Sequence, residues 1–452
     1  MNEQEWSLSQ NKDKRVIKPL RAVFYERAQI VEAVRGVHVY YLFFYKETYV
    51  TAIQATKVKY NSFLGRAFRN GFICDAPHPL IERLNLHKPF PTSTYTSLLQ
   101  HLSGKYTHQE QVYILTFLES FLSKKKLLEE MKNLFYDIRR KGKMFEAYKI
   151  IRVLMDFAPN HRFVKELSHD LHFQQFEETY DLPPMKLWEK DPLHAEKQMF
   201  HDRDDRLLTV LKKTHPLEYT AFALLTFNEG KSHYEDYDEV FRLHFTSEEQ
   251  LQIVEHAYQL VPSDEEAKQR LLSGYLEKNR LNDVFLLLEG EEAVLTPKEC
   301  RKAENALLTE RSLVTSLPVW ERYLREIFRV RTEAKEQLIH AFVREVLPSY
   351  PVADVRAALE KFEGIEETGT YENIRKMEEW QDELDRMEEL GRLYYEFEQK
   401  EKALECFQYA SEMKPEEVAP VQWLAKIYKD LGQEQEAETY RELTKQIKKL
   451  SL

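Results

Sequence analysis

Residues 384–417 read LDRMEELGRLYYEFEQKEKALECFQYASEMKPEE, and residues 418–451 read VAPVQWLAKIYKDLGQEQEAETYRELTKQIKKLS. The two segments align at an offset of 34 residues, with Leu390 over Leu424, Gly391 over Ala425, Tyr394 over Tyr428 and Ala403 over Ala437. Each carries two apolar stripes of helical period separated by a turn. Pro415 stops the second stripe of the first copy. Such a helix hairpin cannot bury its apolar face alone, so copies are expected to stack on one another. The small residues Gly391, Ala425, Ala403 and Ala437 let the paired helices approach closely, and the tyrosines and Phe407 fill the wedge between hairpins.

Moving toward the N-terminus, residues 128–161 repeat the pattern with Met131, Leu134, Phe135, Ile138, Gly142, Ala147, Ile151, Leu154 and Pro159. A half-match precedes it, with helices expected around Tyr95–Leu102 and His108–Leu122, so 91–177 is read as hairpins. Residues 178–205 hold Pro183, Pro184 and Pro192 and are expected to connect, with a short helix at Leu193–Phe200. Residues 206–348 read as degenerate hairpins, including a pair over Pro318–Arg331 and Thr332–Leu347. A linker and charged helix at 349–383 lead into the in-phase pair at 384–452. One all-α superhelix of stacked hairpins, with a divergent and partly irregular N-terminal region, is the fold expected.

The N-terminal region, residues 1–90, divides the evidence. Val23, Phe24, Ile30, Val31 and Val34 fit a helical stripe ended by Gly36. Val37–Tyr45 is dense in β-branched and aromatic residues, which by propensity favours a strand. Phe43, Glu47 and Ala52 also fit the tyrosine, turn and alanine positions of a degenerate repeat. Helix over 37–60 is the expectation, and a β-hairpin turning at Lys46-Glu47-Thr48 is the alternative. Pro77, Pro79, Pro89 and Pro91 then exclude a continuous helix.

Composition narrows the class further. Only 12 glycines in 452 residues argue against many tight turns. No apolar run is long enough to cross a membrane, and the polar start, with Glu3, Glu5 and Asp13, is unlike a secretory signal. Three cysteines far apart, Cys74, Cys300 and Cys406, fit a reducing cytoplasm better than a disulfide framework. Net charge is −11, yet residues 1–90 hold 14 Lys and Arg against eight Asp and Glu, or +6, leaving −17 for the rest. That basic head suits an acidic partner or an internal charge match.

The 34-residue spacing and the residues above resemble the tetratricopeptide repeat family. That resemblance implies a scaffold or adaptor which holds a peptide or partner protein in a concave groove lined by the first helix of each hairpin. It places Arg392, Tyr395 and Glu396, then Gln422, Lys426 and Lys429, on that groove, with Lys132, Tyr136, Arg139 and Arg140 in the upstream copy. Arg and Tyr are enriched at binding hot spots, and the cations would grip a carboxylate. The family's full clamp for a C-terminal carboxylate is absent: Glu388 with Arg392, and Lys132 with Tyr136, stand at its positions. A related expectation is a regulator whose repeats sense a signal peptide, without a helix-turn-helix at the N-terminus.

Chemistry finds little purchase. No phosphate-binding glycine loop, zinc-protease HExxH or nucleophile elbow is present, so no enzyme activity and no cofactor are expected. His194, His201, Asp202, Asp204 and Asp205, with His169 and His172 upstream, are metal-ligand types, but in a polar, proline-flanked stretch they read as surface residues, and no metal is assigned. Basic groups interleaved with Tyr40, Tyr41, Phe43, Tyr45, Phe63 and Phe68 give a weaker alternative, nucleic-acid binding through 1–90. Density of the aromatics and lack of a motif count against it.

Overall fold

A computed structural model describes residues 5–10, 13–55, 57–85, 89–232, 235–288, 295–310, 314–330 and 333–450. Glu3, Lys12, Lys88 and residues 451–452 lie outside the described residues. The chain divides into two compact units, one up to Lys268 and one from Gln269. The all-α expectation is overturned by the first of them.

Its N-terminal part is a seven-stranded sheet: β1 (Trp6–Gln10), β2 (Asp13–Tyr25), β3 (Ala28–Arg35), β4 (His38–Tyr45), β5 (Thr48–Ala55), β6 (Phe72–Asp75) and β7 (Phe90–Pro91). The order is β5-β4-β3-β2-β1-β7, with β6 on the edge of β2. The two ends of the sheet approach each other, where the Tyr49 hydroxyl of β5 donates to the Pro91 carbonyl of β7 at 2.7 Å. The result is a nearly closed, barrel-like sheet. Neither Lys18–Arg35 nor 37–60 is helical: three antiparallel hairpins run through them, and the alternative turn at Lys46-Glu47 is the one adopted.

The physical reason is burial on both faces. Tyr41, Phe43 and Tyr45 point from β4 toward helices, meeting Phe68 and Phe121, then Phe117 and Phe121, then Tyr106 and Tyr113. Phe44 points the other way, onto Tyr49 and Phe90, and Phe90 in turn meets Trp6. A strand covered on both sides loses its polar alternation and reads as a continuous apolar run, which periodicity cannot separate from helix. Pro19 sits at the β2–β3 bulge, between Pro19 and Arg21, where a missing donor is tolerated.

Helices complete this unit. The helix Pro216–Asn228 is buried at every residue from Leu217 to Phe227, mostly apolar but with Glu218, Thr220 and Thr226 shut in among them. The helices Lys124–Arg140 and Met144–Phe157 form the expected hairpin, turning at Gly142 with φ of 72°. Residues 178–205 are more ordered than expected: Pro184 and Pro192 each begin a helix, Pro184–Lys190 and Pro192–Asp202.

Among the described residues of the second unit, every regular element is a helix. Its last four helices, Met387–Glu396, Lys400–Met413, Val418–Asp430 and Glu434–Leu450, pack in sequence order as a repeat-like pair of hairpins. Ala403, Phe407, Leu424 and Ile427 form their core, with Tyr394, Tyr428 and Tyr440 packed against it. A side chain at Gly391 would meet Phe407 Cε2 at 3.0 Å and Cys406 Cβ at 3.1 Å, so glycine sets how closely the first two helices approach.

Candidate functional site

Two places gather chemistry-bearing side chains, one in each unit. In the second unit, the helices Met387–Glu396 and Val418–Asp430 present a surface built on Trp423. Its ring stacks on buried Phe407, with centroids 5.3 Å apart, and meets Tyr395 edge-on at 5.1 Å. Lys426 Nζ lies 4.4 Å from both the Tyr395 and Trp423 ring centroids, and Arg392 approaches Trp423 at 6.0 Å. The Tyr395 hydroxyl donates to Asp430 at 2.6 Å, and burial together with that carboxylate pushes the phenol up to about 12. Arg392 is held by Glu388 and Glu396 faces Asn373. Lys426 and Lys429 are exposed, and no carboxylate lies within ion-pair distance of either among the described residues.

Of the residues named for a groove, this surface brings together Arg392, Tyr395 and Lys426; Gln422 and Lys429 lie on the same helix as Lys426. The upstream set sits in the other unit. There Lys132 lies 4.6 Å over Phe163, half-exposed Tyr136 packs on Phe135 and Phe163, Arg139 pairs with Asp170 at 3.6 Å and Arg140 pairs with Asp137. Trp423 was missed from sequence, although it stands one residue from Gln422.

The second place is the end of the barrel, where two tight turns each carry charged residues: Glu26-Arg27 between β2 and β3, and Lys46-Glu47 between β4 and β5. Glu26, Lys46 and Glu47 all have positive φ, of 52°, 49° and 59°. Asn and Gly are the usual residues there, so contacts of the side chains must hold these conformations. The turns are joined by the Lys46 amide donating to the Arg27 carbonyl at 3.0 Å.

Glu26 is satisfied in full. It accepts from the Tyr113 hydroxyl at 2.6 Å, meets His201 Nε2 at 2.9 Å, and lies 3.8 Å from Lys197, which also holds Asp156 at 2.8 Å. Burial alone would raise its carboxyl, but Lys197, His201 and Tyr113 bring it down to about 2. These groups line a cleft of about 500 Å³ with Arg66 and His194. Lys46 is likewise paired, with Glu110 at 2.8 Å, and that carboxylate also takes the Tyr45 hydroxyl and closes a capping box with Thr107.

Arg27 is different. It is 2% exposed, with Nε at 2.9 Å from Glu218 and 3.5 Å from Glu196, themselves buried. Neither approach has hydrogen-bond geometry: Arg27 Nε and Nη1, Glu196 Oε2 and both Glu218 oxygens lack a partner. Burial pushes the Glu218 carboxyl up to about 8 against the pull of Arg27. Glu47 Oε1 accepts from the Leu217 and Glu218 amides at 2.9 and 3.1 Å, capping the helix Pro216–Asn228. His215, one residue before that helix, is driven down to about 4 by burial, Arg27 and Lys46.

The His/Asp stretch singled out near residue 200 is dispersed. His201 goes to Glu26, His194 lies 3.4 Å from Arg152 and Asp204 pairs with Arg206. Part of the basic head is spent internally as well: Arg21, Arg27, Lys46, Arg66 and Arg83 face carboxylates, and Tyr40, Tyr41, Phe43, Tyr45 and Phe63 are buried. None of those rings is offered for a base to stack on. Among the described residues, no helix is long and apolar enough to cross a membrane. Neither a protein-family model nor a curated protein matches the chain.

Proposed function

We propose that this protein is a non-enzymatic scaffold or adaptor that holds an acidic segment of another polypeptide on its C-terminal hairpins, as the tetratricopeptide resemblance implies. The observation that carries the reading is Lys426, pinned between two aromatic rings with no carboxylate of its own. Most nearby cations, Arg386, Arg392, Lys414 and Arg441, are already paired with neighbouring glutamates. A carboxylate on a partner chain would complete Lys426 and Lys429, while Tyr395 and Trp423 supply flat apolar area. The saturated Glu26 cluster supports the non-enzymatic part, because its carboxylate has no free position for a substrate proton. Three buried, unbridged cysteines fit a cytoplasmic setting.

Trp423 provides the readout. Acidic peptides titrated against the full chain should change its fluorescence, and Trp423→Phe should abolish that change. The double variant Lys426→Glu/Lys429→Glu should bind at least tenfold more weakly while its thermal midpoint stays put, since surface substitutions shift stability by about 0.5 kcal/mol or less. Equal binding of acidic and basic peptides, or full binding by the double variant, would remove this surface from consideration.

A further inference from the structure

The barrel end contains an imbalance that the protein groups there do not resolve. Arg27 faces three carboxylates, Glu47, Glu196 and Glu218. One guanidinium balances one of them. Lys46 is occupied by Glu110, and Lys197 by Glu26 and Asp156. The other two carboxyl groups are left without a cation of their own in a place mostly closed to water, where a bare carboxylate is strongly disfavoured. Both oxygens of Glu218, which is only 4% exposed, lack a hydrogen-bond donor.

One atom each of Glu47, His215 and Glu218 can be chosen so that all three lie within 4.8 Å of one another. The nearby contacts leave free donors. Glu47 uses Oε1 for the two helix amides, which leaves Oε2; Glu218 turns Oε2 toward Arg27, which leaves Oε1. The His215 ring has no hydrogen-bond partner among the described residues. Glu47 and His215 are half-buried, so an ion has a way in from solvent. From this geometry we infer that Glu47, His215 and Glu218 bind a divalent transition-metal ion of the zinc or manganese class, clamping the β4–β5 turn to the helix Pro216–Asn228.

One imidazole nitrogen with two carboxylate oxygens is a donor set suited to such ions, with water completing the coordination. A dication would displace any proton held by Glu218 and balance the two carboxylates that lack a cation. The helix amides on Glu47 and the guanidinium on Glu218 would serve as outer contacts that orient the ligands. The turn residue Glu47, the histidine just before the helix and the buried Glu218 within it thus acquire a common purpose.

The test uses the full chain stripped with a chelator and titrated with Co²⁺. A visible absorption band should grow to one equivalent, and Zn²⁺ should raise the thermal midpoint of the stripped protein. His215→Gln and Glu218→Gln should each weaken Co²⁺ binding at least tenfold, whereas His201→Gln, in the neighbouring saturated cluster, should leave it unchanged. If a variant fails to fold, the native chain still decides: substoichiometric Mn²⁺ should selectively broaden the His215 ring resonances, assigned by comparison with the other histidine signals. No saturable band, a band that persists undiminished in folded His215→Gln or Glu218→Gln, or Mn²⁺ broadening centred on another histidine would overturn the assignment.

Discussion

Up to Lys268 the chain shuts a guanidinium away together with its carboxylates; from Gln269 the cations that meet a buried acid such as Glu326 still reach water. The first unit encloses a guanidinium, Arg27, with Glu196 and Glu218 at the end of its sheet. In the second unit the buried acids have simpler duties. Glu299 closes a capping box with Thr296, and Glu326 takes Arg322 and Arg329, which are 25% and 47% exposed. The difference follows from how each surface is made. Stacked hairpins match apolar stripe to apolar stripe, and need charge only at the rim. A barrel end exposes turns, and turns carry polar residues; covering one with helices buries whatever stands in the turn. The first unit is therefore held by neighbours that must agree electrostatically, the second by packing repeated along the chain.

The sharpest way to break that contrast is Arg27→Met. It leaves Glu196 and Glu218 buried without their cation, and removing one partner of a buried ion pair costs about 3–5 kcal/mol. Urea unfolding followed by hydrogen exchange should show β2–β5 losing protection while residues 387–450 keep theirs. A loss below about 1 kcal/mol would mean that the carboxylates are neutralised without Arg27, and the electrostatic half of the comparison would fail. Phe407→Ala is the counterpart in the second unit. This fully buried ring stacks on Trp423, and its truncation should cost about 3 kcal/mol, felt by the last four helices only. Tyr428→Ala should cost about half as much, because its ring is only half-buried.

The same contrast explains what could be read from the sequence. The C-terminal hairpins were legible because one buried face per helix leaves a period, and because Gly391 and the alanines mark close approaches. The barrel was not, since β4 from Tyr40 to Tyr45 is buried on both faces and its alternation is erased. A usable signal was present in the paired turns: Glu26-Arg27, Gly36-Val37 and Lys46-Glu47 are spaced by about ten residues and flanked by β-branched and aromatic runs. Charged residues in place of Asn-Gly hid it. The residues of the Trp423 surface were half legible for a related reason. Repeat position put Arg392, Tyr395 and Lys426 on one surface, while Trp423 holds no position in the repeat pattern and only its stacking on Phe407 shows where its ring lies. Nothing in the sequence joins Glu47 to His215 and Glu218, 168 and 171 residues away; only the barrel turn brings them together.

Acid should separate the units next. His78 is 5% exposed, and burial beside His256 drives it down to about 3, far below its ordinary 6.5. Burial also lowers His194, to about 4, and His256. Between pH 6.5 and about 3 the unfolded chain binds the His78 proton and the folded chain does not, so stability falls as pH falls through that window. His78 alone contributes about 1.4 kcal/mol per pH unit below 6.5, or about 2 kcal/mol by pH 5. Glu26 adds nothing down to pH 5: its depressed carboxyl loses stabilisation only from about 4.5 down to about 2. Hydrogen exchange at pH 7 and pH 5, corrected for the intrinsic rate, should show protection falling around Phe72–Leu84 and Ser247–Leu260, while Met387–Leu450 changes little. An unchanged pattern in a His78→Asn variant would show that another group governs the acid response.

The smallest effect tests whether the exposed surface of the second unit is held by packing rather than polarity. Tyr395→Phe removes only the hydroxyl that donates to Asp430 at 2.6 Å, leaving the ring against Trp423 and beneath Lys426. Both polar groups are open to water, which replaces the lost bond, so the cost should be about 0.5 kcal/mol or less. Acidic-peptide binding should persist within about twofold, because the flat ring and the lysine remain. Asp430, relieved of its donor, is free to repel an incoming carboxylate, so any change should be a slight weakening that grows as salt is lowered. A loss above about 1.5 kcal/mol would instead make the hydroxyl a structural tie between the two hairpins. The second unit would then depend on a specific polar contact much as the first does, and the distinction between the units would narrow to one of burial alone.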